Sequence, residues 1–355
     1  MPRDTRRRTA KSREPPARLT INDIARLAAV SKKTVSRVIN RSPFVKEETR
    51  AHIKSIIDAH GYHPDPQARG LAFRRSFLIG MIYEQPNPQY VVSMQEGILD
   101  ALSGSGFELV IRPCQRQSKT FFEDIRTFVE RQKLYGVVLP PPLSEAERLA
   151  RLLDELGCRY VRIASVSLDD PERMVVTHDH LGGAAAARRL AELGHRCVAH
   201  VSGPPSFRSS HERRRGFVSG LAEFGLTLPK TRALEGAYTY ESGLECGRSL
   251  LAKGQRPTAI FTGNDEMAFG IYRAAQEAGL RIPHDLSVVG FDDLPIASRI
   301  WPPLSSVRLP IHDMGKIAAE KLLAASEARH RAGIDEFKPT LIERASIAAP
   351  RTERA

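Results

Sequence analysis

Cysteine is scarce in this chain of 355 residues: Cys114, Cys158, Cys197 and Cys246 stand far apart, with no CxxC pair. That spacing suits neither a disulfide framework nor a zinc site, and it predicts buried free thiols. No apolar run approaches the roughly 18 residues that a membrane helix needs. The opening stretch MPRDTRRRTAKSREPPAR is basic, but no apolar segment follows it. It does not read as a signal peptide, so a cytoplasmic protein is expected. Catalytic motifs are missing too. HLGG and GNDE are too short to count as phosphate loops, no nucleophile motif or metal-ligand spacing occurs, and His178 and His180 read as strand–helix junction residues. No enzymatic activity, cofactor or metal is expected.

What the chain has is positive charge in one place. Residues 1–75 hold 18 Lys/Arg and 7 Asp/Glu, a net of +11, while the whole chain carries +12. A basic head on a neutral body points to one segment that meets a polyanion and a larger part with another task. A length of 355 residues exceeds one ordinary core, so more than one domain is expected.

Residues 1–18 carry seven Lys/Arg and three prolines, with few bulky apolar side chains. They are expected to be a disordered tail, either solubilising or in loose contact with phosphate. In LTINDIARLAAVS, Thr20 caps a helix with Asp23 completing an approximate capping box. Ile21, Ile24, Ala25 and Ala28 form its apolar stripe. Val30 anchors a turn and Ser31 caps a second helix, SKKTVSRVIN. There Val35, Val38 and Ile39 face inward, and Lys32, Lys33, Ser36 and Arg37 lie on the other sides. Lys33 and Arg37 are four apart, a like-charge spacing that disfavours an isolated helix and that a partner anion would relieve. A third helix follows, with Val45, Thr49, Ile53, Ile56 and His60 on one face. Gly61 supplies a left-handed cap and Pro64 a stop. Three short helices with a tight first turn make a helix-turn-helix unit, whose second helix fits the DNA major groove.

The run from LTINDIARLAAVSKKTVSRVIN to GYHPDPQARGLA resembles, over about 55 positions, the DNA-binding head of the lactose-repressor (LacI/GalR) family of bacterial transcription regulators. The resemblance implies that Lys32 and Lys33 choose the operator and that Arg37 contacts a base. It places Ser31, Thr34, Ser36, Asn40 and Tyr62 at phosphate-contacting positions. In PDPQARGLAFRR it implies a hinge helix over 65–75, with Leu71 wedged into the minor groove. Asp65, where an asparagine is usual, and the following Pro66 depart from the family pattern.

Beyond residue 75 the pattern changes. FLIGMIY, FELVIRPC, YGVVLPP, YVRIAS, RCVAHVSG, TAIFTG and LSVVGFDD are short, branched-rich apolar runs. Helix-length amphipathic segments, such as DEMAFGIYRAAQEAGL, lie between them. Strands alternating with helices predict parallel sheets, and ligands of such sheets bind beyond the strands' C-terminal ends, near SGPP, TGND and GFDD. HLGGAAAARRLAELGH, SGPPSFRSSHERRRGF and PPLSSVRLP extend the family resemblance to the sensor. The expected fold is thus an α/β sensor, two doubly wound parallel-sheet subdomains of periplasmic-binding-protein-like type, behind an all-α helix-turn-helix domain at 19–64. The sensor spans 76–348, with subdomains at 76–176 plus 307–340 and at 177–304 plus 341–348.

The same resemblance implies an effector pocket. Asp292 and Asn264 match effector-contacting positions, Asp265 is expected to cap the following helix, and Tyr238 matches a stacking aromatic. Ser209, His211, Arg213 and Tyr90 lie in segments that reach the ligand in relatives. Ala164 stands where some sugar-binding members carry aspartate. Arg162 is an added cation that either meets an acidic group of the ligand or pairs with a neighbouring carboxylate. The expectation is a ligand-responsive regulator, a repressor that binds a pseudo-palindromic double-stranded operator as a homodimer under control of a sugar or sugar derivative. The C-terminal ASIAAPRTERA lacks a leucine heptad, which favours a dimer over a tetramer. An activator or dual regulator on the same scaffold is the alternative. A solute-binding transport protein shares the sensor fold, but the helix-turn-helix and the absence of a signal peptide oppose it, and no membrane partner is expected.

Overall fold

The computed structural model describes residues 19–39, 44–62, 76–84, 87–252, 254, 256–324 and 335–351. The basic tail, the hinge segment 65–75 with Asp65, Pro66 and Leu71, and also Asn40 and Pro64 lie outside the described residues.

The chain divides into two units, one up to Arg74 and one from Arg75. In the first, α1 (Ile21–Leu27) begins with a reciprocal cap. The Thr20 hydroxyl accepts the Asp23 N–H at 3.4 Å, and the Asp23 carboxylate accepts the Thr20 N–H at 2.9 Å. Two donors that a helix start leaves without partners are thereby satisfied. Ala29, at φ 51°, turns the chain, and the Ser31 hydroxyl caps α2 (Lys32–Ile39) by accepting the Thr34 N–H at 3.1 Å. α3 (Glu47–Ala59) ends just before Gly61, whose φ of 56° needs glycine's freedom. Ile24, Ala28, Val35, Val38, Ile53 and Tyr62 pack into a small core. His60, expected on the inner face of α3, is exposed, because it is already the C-cap residue there.

In the second unit the apolar runs become strands of two six-stranded sheets. The first runs in the order β2 (Glu108–Pro113), β1 (Leu78–Tyr83), β3 (Gly136–Leu139), β4 (Arg159–Ala164), β5 (Met174–Val176), β11 (Asp335–Glu336), all parallel. The second runs β7 (Ala233–Glu235), β6 (Val198–Ser202), β8 (Ala259–Thr262), β9 (Ser287–Asp292), β10 (Ser305–Arg308), β12 (Thr340–Ile342). Only β12 is antiparallel to its neighbour. The helices are α4 (Pro88–Leu102), α5 (Phe121–Gln132), α6 (Glu147–Glu155), α7 (Asp179–Glu192), α8 (Arg208–Ala222), α9 (Tyr240–Leu251), α10 (Asp265–Glu277) and α11 (Ile311–Ala324).

Each sheet with its helices is a lobe, and the chain passes between lobes after β5, after β10 and after β11. The second crossing follows Arg308, because Ser305–Arg308 pairs with β9, whereas the sequence put Val307 already in the first lobe. The third crossing precedes Thr340, which pairs with Arg308 in the second sheet. Helix pairs α4–α11 and α7–α8 pack closely. A Cβ on Gly97 would lie 1.8 Å from the His312 carbonyl oxygen, and one on Gly183 would lie 2.1 Å from that of Arg213. Glycine is what lets these helices approach so near.

Candidate ligand cleft and recognition helix

The C-terminal ends of both sheets border one cleft, with an empty volume of about 470 Å³ that includes open solvent. At its centre is Arg213, which α8 carries into a buried position. Its Nε donates to Asp179 Oδ2 at 2.7 Å, and its Nη1 donates to the Gly263 carbonyl oxygen. Asp292 Oδ1 lies 3.4 Å from Nη1. The guanidinium also sits over the Phe291 ring, 3.7 Å from its centre. Burial works against the charge of Arg213, but Tyr238, Asp179 and Asp292 outweigh it, so its basicity is raised.

Asp179 is the first residue of α7, where the helix dipole favours a carboxylate, and the Thr177 hydroxyl donates to its Oδ1. Asp292 is held differently. Its Oδ1 is buried with no hydrogen-bond partner among the described residues, despite the ion-pair distance to Arg213. Burial pushes its carboxyl up to about 7, against the pull of Arg213 and with a further push from Asp179. Tyr238, Asp292 and Asp293 all have left-handed backbone, at φ 61°, 105° and 54°. Such strain in residues other than glycine gathers where a site is fixed by its surroundings.

Tyr238 presents a ring edge-on to Phe207, with centres 5.3 Å apart. Its hydroxyl lies 3.2 Å from the Ser209 hydroxyl and accepts from Ser210 at 2.9 Å. Asn264 caps α10: its Oδ1 accepts the Met267 N–H at 3.0 Å, and its Nδ2 donates to the Tyr238 carbonyl at 3.0 Å. The cap was expected of Asp265. That carboxylate instead accepts the Leu294 N–H at 2.7 Å and the Ser306 hydroxyl at 2.5 Å, and burial raises it well above the usual range. Tyr90 enters from the first turn of α4, where burial pushes its phenol up.

Of the sequence-derived effector residues, the fold brings Tyr90, Ser209, Arg213, Tyr238, Asn264 and Asp292 to the cleft. Arg162 and His211 are not among the lining residues. Arg162 is 1% exposed and spends its charge inside the first lobe, on Glu147 at 2.6 Å and Asp169 at 3.3 Å, with a bond to the Ser144 carbonyl at 2.6 Å. Of the two readings open for it, pairing with neighbouring carboxylates is the one found. His211 is exposed and its Nε2 meets the Pro205 carbonyl at 2.8 Å. Residues that sequence reasoning missed also line the cleft: Asp179, Thr177, Ser165 and Asn87. Ser165 Oγ is buried without a hydrogen-bond partner among the described residues. Asp179 was detectable as an acid between a strand end and a helix start, the position such sheets use for ligands.

On α2, Lys32, Lys33 and Arg37 are exposed, Thr34 and Ser36 are half-buried, and Val35 and Val38 face the core. Arg26 pairs with Asp23 at 2.9 Å, but Lys32, Lys33 and Arg37 pair with no carboxylate among the described residues. Ser31 is exposed and engaged in the cap. Tyr62 is 7% exposed and packs in the core.

A cleft between two parallel-sheet lobes, joined in one chain to a helix-turn-helix whose cations have no carboxylate partner among the described residues, defines a ligand-sensing DNA-binding regulator. Residues 20–65 match the model of bacterial regulatory proteins, lacI family, and residues 187–347 that of a periplasmic binding protein-like domain. The HTH-type transcriptional repressor PurR of Edwardsiella ictaluri is 33% identical, over 93% of this chain and 97% of that repressor. The chain belongs to the lacI family of bacterial regulatory proteins. Its fold is similar to that of the lac repressor dimer bound to operator and the anti-inducer ONPF, with 27% identity, a TM-score of 0.76, and coverage of 93% of this chain and 99% of that one. It is also similar to the transcriptional regulator CelR in complex with cellobiose, with 29% identity, a TM-score of 0.70, and coverage of 93% and 100%. No helix among the described residues is long and apolar enough to cross a membrane.

Proposed function

We propose that the protein represses transcription as a homodimer bound to a pseudo-palindromic double-stranded operator, and that a small sugar or sugar derivative in the cleft controls this binding. The observation that carries the proposal is one chain holding both ends of the device. Lys32, Lys33 and Arg37 on α2 pair with no carboxylate among the described residues, and Asp179, Arg213 and Asp292 converge between two lobes. Carboxylates that accept and a guanidinium that donates suit the hydroxyls of a polyol, and the rings of Tyr238 and Tyr90 suit its apolar faces. The lac repressor dimer on operator and CelR with cellobiose support both halves by similarity.

In this reading Lys32, Lys33 and Arg37 read base edges, and Ser31, Thr34, Ser36, Asn40 and Tyr62 fix register on phosphates. Leu71 is the minor-groove wedge. The protein acts at the chromosome in the cytoplasm and catalyses no reaction. The effector shifts one lobe against the other, and coupling is reciprocal: a ligand that weakens operator binding must itself bind the operator complex more weakly. Genomic footprinting with the purified protein, followed by thermal-shift titration with sugars, tests this. The expected result is a pseudo-palindromic site whose occupancy changes with a sugar that also raises the melting temperature. Salt-sensitive binding with no sequence preference would refute it.

A further inference from the structure

Glu145 closes the short 3-10 turn Leu143–Glu145 that follows β3, so it belongs to the first lobe. Its Oε2 accepts the backbone N–H of Arg208, the first residue of α8 in the second lobe, at 3.0 Å. The first N–H groups of a helix have no partner within the helix, so this one is held from across the cleft. Next to it, the Arg116 guanidinium of the first lobe stands 5.9 Å from the centre of the Phe207 ring. Phe207 and Ser209, on either side of Arg208, line the cleft, while Glu145 itself does not. Its Oε1 is buried with no hydrogen-bond partner among the described residues. Burial raises its carboxyl, against the pull of the Arg208 N–H and of the Arg208 and Arg116 charges. A carboxylate so placed is costly unless its one strong bond is kept.

We infer that Glu145 is a positioning residue of the effector cleft: by holding the Arg208 N–H it fastens the Phe207–Ser209 wall to the opposite lobe and sets how readily the lobes close. The inference rests on the reading of this cleft as the effector site. It also gives the contact an order of events. Opening the lobes must release the N–H to water, and closing must strip that water again, so the bond contributes to the balance between open and closed forms without touching the ligand.

The donor can be deleted without disturbing the helix. Proline is suited to a first helical position, and Phe207 ahead of it is already extended, at φ −105° and ψ 121°, as a residue before proline must be. The test uses the full-length, ligand-free protein and four variants: Arg208→Pro, Arg208→Ala, Glu145→Ala and Glu145→Gln. Two readouts are taken, X-ray scattering for lobe opening and amide exchange at Arg208 and Ser210. Arg208→Pro and Glu145→Ala are expected to raise the radius of gyration, and the double variant to raise it no further. Arg208→Ala keeps the N–H, and Glu145→Gln keeps an acceptor, so both stay near the parent. In Glu145→Ala the Arg208 amide exchanges roughly tenfold faster or more. The Ser210 amide, which bonds the Phe207 carbonyl at 3.1 Å within the same turn, does not. Unchanged scattering in both Arg208→Pro and Glu145→Ala, additive effects in the double variant, or a protected Arg208 amide in Glu145→Ala would each overturn the inference. Should Glu145→Ala fail to fold, Arg208→Pro against Arg208→Ala still decides by scattering. None of these readouts needs a ligand, so the result stands apart from whether a sugar is the effector.

Discussion

Asp292 should make this protein less stable as the solution becomes more basic. Its carboxyl is raised to about 7 in the folded chain, against 3.8 for the ordinary group. The folded state therefore holds this proton more tightly than the unfolded state does. Stability from this residue is highest below about pH 4, falls as the pH rises to 7, and is constant above that. A difference of about three pK units at 1.36 kcal/mol each is about 4 kcal/mol. Asp292→Asn removes the charge that burial penalises. Arg213 keeps its bond to Asp179 at 2.7 Å, and an amide oxygen can still face Nη1. Allowing for the weakened attraction to Arg213, the variant should be more stable than the parent by about 2–4 kcal/mol at pH 8 and by only about 1 kcal/mol at pH 4.5. At about 2–4 °C per kcal/mol for a large domain, the gap in melting temperature at pH 8 is roughly 4–16 °C. Thermal unfolding of both proteins across pH 4.5–8.5 checks it, with the parent–variant difference isolating this one group. A difference that does not change with pH would show that Asp292 is ionised throughout the range, and the burial argument would fail.

Replacing Lys33 or Arg37 by alanine should cost about 1–3 kcal/mol on the operator and relax its sequence preference. Competition binding against randomised sites measures this, and an unchanged preference would reject α2 as the reading helix. Gly183→Ala places a methyl 2.1 Å from the Arg213 carbonyl and 3.0 Å from the Phe217 nitrogen. It should cost about 3 kcal/mol by forcing α7 and α8 apart, and it should weaken sugar binding because Arg213 moves with its helix. A melting temperature equal to the parent's would show that the helices give way freely. Tyr238→Phe removes the acceptor of the Ser210 hydroxyl and should cost about 1 kcal/mol. Urea unfolding measures it, and a loss below a few tenths would mean that water replaces the bond.

Local chemistry was legible where neighbours in the chain decide it. Thr20, Asp23 and Ser31 cap the helices that their spacing predicts. The seven apolar runs became β1, β2, β3, β4, β6, β8 and β9. The short strands β5, β7, β10, β11 and β12 were not legible. Two to four residues show no periodicity of their own, and long-range pairing makes them strands. The displaced crossings at Arg308 and Thr340 have the same cause.

The site divides in the same way. Arg213, Asp292, Tyr238, Asn264, Ser209 and Tyr90 were named from the family resemblance, and all six line the cleft. What each one does there was settled by its partners. Asn264 rather than Asp265 caps α10, because Leu294 and Ser306 hold Asp265 from 29 and 41 residues away. Arg162 stays in its own lobe because Glu147 and Asp169 neutralise it there. The sequence by itself determined the basic head, the helix-turn-helix and the alternation that makes parallel sheets, since these are set by side chains within a few positions of one another. Only the tertiary structure decided which acids and bases become partners, that Asp179 joins Arg213 and Asp292, and that Glu145 reaches Arg208. Those charges lie far apart in the chain, and burial, which fixes their ionisation and strength, exists only once the lobes are packed.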